Sequence, residues 1–180
     1  MANTINESDI IERLNSAPSV RGFFIVAAEI FEQAIDVLTQ RIFRNDYLAV
    51  SVVVNPLLGT SGPLGDVSVR LKLLFGLGVI PDKIYHDIES LLKIKHFLNN
   101  DGFEYQFTDH AILDPIKKLS VMKAVGSMGF DFPQPNSDMD PELYQLHMSR
   151  IQQVIRSSLS LGIVEICNKL DIDSPFPFMS

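Results

Sequence analysis

The sequence predicts an all-α fold, a single-domain bundle of six to eight helices of which two are long. Three observations lead there. Apolar residues recur at alternating spacings of three and four through Val20, Phe23, Phe24, Ala27, Phe31, Ala34, Ile35, Leu38 and Ile42. The same spacing returns through Tyr144, Met148, Ile151, Ile155, Leu159, Ile163, Ile166 and Leu170, as one buried helical face requires. Only one stretch, residues 48–58, has the valine content of a strand; a lone strand cannot satisfy its own backbone, so that stretch is expected as a short buried helix. Finally, 180 residues with 46% hydrophobic and 21% charged side chains suit one globular core.

Residues 6–17 predict a first short helix, with Asn6 or Ser8 as cap and Ile10, Ile11 and Leu14 on one side. Pro18 interrupts, and the first long helix runs from Pro18 or Ser19 to about Phe43, with Glu29, Glu32, Asp36 and Gln40 on its wet side. Residues 59–65, rich in glycine, form a turn, after which Asp66 caps a helix over 67–77. That helix is apolar nearly all round, which predicts a central place in the core, and Gly76 and Gly78 end it. Pro81 opens a helix to about Asn99, with Ile84, Ile88, Leu91, Leu92 and Leu98 buried. A stop falls over 99–102, then a short helix over 109–119, capped by Thr108 or Asp109 and kinked at Pro115. Residues 126–140 suit a flexible linker, Pro141 starts the second long helix, and residues 172–180, with Pro175 and Pro177, form a nonhelical tail.

Fifteen Lys and Arg stand against 22 Asp and Glu, a net charge of -7, the wrong balance for a dedicated nucleic-acid binder. Cys167 is the one cysteine, which excludes an intrachain disulfide and a multi-cysteine zinc site; its apolar neighbours mark it as a core residue. The polar first 15 residues do not resemble a signal peptide, and apolar runs such as 23–28 fall far short of a membrane span. A cytoplasmic protein is expected.

Asp82, His86, Glu89 and His96 share one helix face at spacings a metal site could use, but Lys93 in the same row would repel a cation, and a solvated stripe is the simpler expectation. The turn from Ser61 to Asp66 precedes a helix start, yet lacks the lysine of a phosphate loop, and Asp66 would oppose a phosphate. No Gly-x-Ser-x-Gly elbow occurs. The nearest approach to a helix-turn-helix is 67–77 followed by 81–99. Its reading helix would expose Asp82, Lys83, His86, Asp87 and Glu89 to the phosphates, with three charges of the wrong sign.

The middle of the chain is more distinctive. It carries Asn55-Pro56-Leu57-Leu58, Ser61-Gly62-Pro63-Leu64-Gly65-Asp66, Val69-Arg70-Leu71-Lys72-Leu73 and Gly76-Leu77-Gly78-Val79-Ile80. Further on stand Tyr85-His86-Asp87, Leu98-Asn99-Asn100-Asp101-Gly102, Glu104-Tyr105-Gln106-Phe107-Thr108-Asp109 and Ile112-Leu113-Asp114-Pro115. With Glu12-Arg13-Leu14-Asn15, Val20-Arg21 and the segment from Arg150 to Ser157, these resemble the mannitol operon repressor family over most of residues 10–170. The resemblance implies an all-α bacterial cytoplasmic regulator that lowers expression of genes for mannitol uptake and breakdown. It implies no catalytic residue, no cofactor and no enzyme activity.

Two mechanisms follow. In the first, the chain binds another transcription factor or a sugar-transport phosphocarrier protein. Its candidate contact residues are Pro63, Leu64, Asp66, Arg70, Asn99, Asn100 and Asp101, with Arg70 pairing to Asp66 one turn away. In the second, a homodimer gathers Arg41, Arg44, Lys93, Lys95, Lys117 and Lys118 into a DNA-binding surface; direct DNA binding by the monomer is not expected. The two long helices could pair within one chain or across two, and no feature of the sequence marks a polyol pocket.

Overall fold

Helix α2 (Val20–Ile42) is the axis of the bundle in the computed structural model, which describes residues 6–43, 46–125, 138, 140–173 and 175. Ser19 stops it at its start, the side-chain oxygen accepting the Gly22 N–H at 3.0 Å. The apolar stripe read from the spacing is the buried one: Phe23, Phe24, Ala27, Phe31, Ile35 and Leu38 have almost no exposed surface. Each such Phe, Ile or Leu contributes about 1.5–3 kcal/mol by leaving water.

Before α2 lies α1 (Glu7–Asn15), capped by Asn6, whose carboxamide oxygen accepts the Ser8 N–H. After it come α3 (Tyr47–Ala49), a π-helical turn (Val50–Val54) and α4 (Asn55–Leu58), which run on as one continuous arm. Then follow α5 (Val67–Gly76), α6 (Asp82–Asn100), α7 (His110–Lys118), α8 (Ser120–Val125) and α9 (Pro141–Leu170). With the arm taken as one rod, the described residues form eight helices, at the top of the expected range. The longest contact is between α2 and α6; α9 lies across α1, α2, α6 and α8. The two long helices therefore do touch, and one continuous core runs from Ile10 on α1 to Leu170 on α9.

The structure corrects several expectations. Residues 48–58 are helical, as expected, but not buried: Leu48 is 70% and Val52 62% exposed, and of this stretch only Val54 is buried. Helix α5 is not central. It buries Arg70, Leu71 and Leu74 and leaves Val69 and Leu77 half in water. Leu119 does not belong to the preceding helix but separates it from α8, which the spacing did not reveal. Asp87, expected on a wet surface, is 4% exposed. Its carboxylate accepts the Ser120 N–H at 2.8 Å, the Ser120 hydroxyl at 2.6 Å and the Val121 N–H at 3.1 Å, so it caps α8 from another helix. The expected linker over 126–140 lies outside the described residues except for Asp138 and Asp140, which caps α9 through the Glu142 N–H. Of the expected tail, Ile172, Asp173 and Pro175 are described and nonhelical.

Candidate functional site

Asp66 and Asn99, 33 residues apart in the chain, line one groove of about 600 Å³ between α5 and α6. Asp66 is there because it caps α5, its carboxylate accepting the Ser68 N–H at 2.7 Å. Asn99 is there because α6 runs antiparallel past the start of α5 and ends one residue later. The floor is apolar, from Leu71 and Leu92, and the walls carry Lys72, Lys93, Lys95 and His96 against Asp66 and Glu89. Two of these charges are paired. Lys93 Nζ lies 2.5 Å from Glu89 Oε1. Hydrogen bonding from Lys93, and next from the Tyr85 hydroxyl, holds the Glu89 carboxyl below its ordinary range, and the same bond raises Tyr85. Tyr85 in turn stacks on Phe75, ring centres 4.3 Å apart. The groove is a half-open, polar-walled slot with an apolar base, a shape that receives a protein side chain or loop.

Asn100 and Asp101 form the corner beyond it. The Asn100 amide lies 3.0 Å from His96 Nε2. Asp101 accepts the Phe103 N–H and the Tyr105 hydroxyl, while its backbone carbonyl accepts Arg21 Nη2 at 2.7 Å. The Tyr105 hydroxyl, then the Phe103 N–H, hold the Asp101 carboxyl below its usual value. The turn so fixed presents Phe97 and Phe103 to solvent on either side of Tyr105. Sequence spacing did not single out these exposed rings; their placement depends on the Arg21 contact with α2, 80 residues away.

The other expected contact residues lie elsewhere. Pro63 and Leu64 belong to a loop folded back on the arm, where the Leu64 N–H donates to the Leu57 carbonyl. Gly62 is required in that loop, since a Cβ there would stand 2.1 Å from the Pro56 carbonyl oxygen. Arg70 does not pair with Asp66. It is 6% exposed and turns to α2, with Nη1 2.9 Å from Asp36 Oδ1, Glu32 at 4.0 Å, and Nη2 donating to the Gly65 carbonyl. These contacts tie α5 and its preceding loop to α2.

Some of the basic residues that a DNA-binding dimer would gather already have partners within one chain. Arg41 is held by Asp171 and the Ile172 carbonyl, Lys93 by Glu89, and Lys117 and Lys118 sit at the far end of α7; Arg44 lies outside the described residues. Helix α6, the expected reader, packs against α2, α5, α7, α8 and α9, and the outer side it leaves free includes Asp82, which a phosphate would repel. Among the described residues no three His, Cys, Asp or Glu side chains lie close enough together to hold a metal ion. Burial pushes the Cys167 thiol up to about 12, the state of an inert core thiol. No described helix is long and apolar enough to cross a membrane.

Residues 6–171 match the sequence profile of the family described as Mannitol repressor. The mannitol operon repressor of Escherichia coli strain K12 is 41% identical over 94% of this chain and 85% of its own length. A protein named Fumarase E, from the same strain, is 27% identical over 93% of this chain and 98% of its own. Among solved structures, a chain from the X-ray structure of the MtlR–HPr complex from Escherichia coli superposes with a TM-score of 0.84 at 41% identity, covering 92% of this chain and 98% of that one.

Proposed function

The chain belongs to the mannitol repressor family, and from that premise we propose that it lowers transcription of a mannitol operon by binding a phosphocarrier protein of the HPr kind. One observation carries the proposal: the relative it superposes on over nearly its whole length was crystallised as a complex with HPr. The fold agrees with action through a protein. The helix that would read DNA carries Asp82 on its exposed side, and the basic side chains are in part neutralised. The α5–α6 groove with Asp66 and Asn99, continued by the corner at Asn100 and Asp101, is the proposed contact surface. In this reading the chain works in the cytoplasm as a regulator without catalysis of its own.

Calorimetric titration with purified HPr tests this. Wild-type protein is expected to bind, and Asn99→Arg, an exposed change in the groove, to weaken binding by about tenfold or more, or about 1.4 kcal/mol. Arg70→Ala is expected to lower stability and leave the affinity of the folded protein alone. No binding of HPr, together with specific binding of mannitol promoter DNA that falls steeply with salt, would replace this function with direct repression by a dimer. The relative named Fumarase E supplies a second reading, hydration of a dicarboxylate. Loss of fumarate absorbance on incubation with the purified chain, scaling with its concentration, would establish that activity.

A further inference from the structure

Arg156 on α9 is half-buried and makes no ion pair with a carboxylate among the described residues. Its Nη2 donates to the Ala17 carbonyl, and its guanidinium carbon lies 5.7 Å from the Phe23 ring centre and 5.9 Å from that of Phe107. Its Nε is shielded from solvent and has no hydrogen-bond partner. Its protein partners are a carbonyl and two ring faces, whereas Arg70 and Arg41 each have a carboxylate within 3.1 Å. Burial pulls the Arg156 guanidinium below its ordinary value, the direction expected of a charge without a counterion.

The same side chain lines a groove of about 300 Å³, at the small end for a small-molecule site. The other described wall residues include Ser149, Gln106, Gln152 and Gln153, and none of the lining side chains is acidic, in a chain whose net charge is -7. Pro18, Ser19 and Val20 bring the N-terminal end of α2 to the groove, and the first turn of α2 carries no acidic residue. The positive end of a 23-residue helix thus adds to the guanidinium. Gln152 fixes the opposite wall, accepting the Phe107 N–H at 2.8 Å and donating to Thr108 Oγ1 at 2.7 Å.

We infer that this groove binds a small anion through a carboxylate or phosphate monoester group, held by Arg156 at the start of α2. The groove shares no lining residue with the α5–α6 groove, although Tyr105 in its wall bonds Asp101 at the corner, so anion binding is measured without HPr present. Calorimetry on the full chain, with inorganic phosphate and with succinate at ionic strength fixed by chloride, tests it, with mannitol as the neutral control. At least one anion is expected to bind while mannitol does not. Phosphate alone would place the ligand among phosphate esters, and succinate alone among carboxylates. Gln153→Glu adds a carboxylate to an exposed part of the wall and leaves the Ala17 contact untouched. It is expected to weaken the anion about tenfold or more with the melting temperature unchanged. Arg156→Lys keeps the charge but loses the planar fork and is expected to bind less tightly. Absence of binding by both anions, or equal binding by Gln153→Glu, would overturn the inference.

Discussion

A carboxylate in the core has to be surrounded by donors or it costs the fold several kcal/mol. Asp87 meets that requirement with three donors, all from Ser120 and Val121, so one side chain of α6 supplies the start of α8. Asp87→Ala would strip α8 of its cap and leave two buried N–H groups without partners. It is expected to lower stability by about 3 kcal/mol, read as a shift in the urea midpoint at unchanged slope. Asp87→Asn keeps one acceptor and should cost less. Nothing local in the sequence announces this role. Three residues from Ile84 and one from Ile88, Asp87 reads as the polar edge of an amphipathic helix, because its partners lie 33 and 34 residues downstream. Arg70 misleads for the same reason. Asp66 stands at the favourable helical spacing, but Asp66 is committed to capping α5, and Asp36, 34 residues upstream, holds the guanidinium. The identity of a buried charge's partner is a tertiary fact, and spacing within one helix cannot supply it.

Helices α2, α6 and α9 were legible because each carries enough turns for its period to stand out, and most residues the period marks are buried, with Ile30, Ile94 and Val164 buried beside them. The arm was legible as helix and not in its burial: valines suit a core, yet here they lie on a projecting element whose Val50, Val54 and Leu58 line a cleft of about 400 Å³ with Asp36 and Gln40 of α2. Helix α8 has too few residues to show a period. It is held instead by the crossing with α9, where Gly162 lets the helices approach. A Cβ on Gly162 would lie 3.2 Å from Val121 Cγ2 and 3.4 Å from Met122 Sδ, both buried side chains. Gly162→Val is therefore expected to overpack this crossing and destabilise the protein by about 1–3 kcal/mol, measured by thermal or urea unfolding. Of the proposed contact surface, the sequence marked Asp66 and Asn99 as residues at element ends. That they share a groove follows from the antiparallel packing of α5 on α6, which no local pattern states.

At the scale of the whole chain, one core links α1 and α2 with α5 through α9 and leaves out the arm. The described residues are therefore expected to unfold together: tyrosine fluorescence, usable because the chain has no tryptophan, and far-ultraviolet circular dichroism should give coincident urea transitions. Separate midpoints would mean that part of the bundle is a unit of its own. The position of α9 also sets a schedule. It covers α1, α2, α6 and α8 and is tied to α1 by the Asn168 amide donating to Glu7 Oε1 at 2.9 Å. A nascent chain on the ribosome carries the apolar faces of the earlier helices before their cover has been translated. Those faces must wait, shielded by one another or by chaperones, until the final helix clears the exit tunnel and closes the bundle.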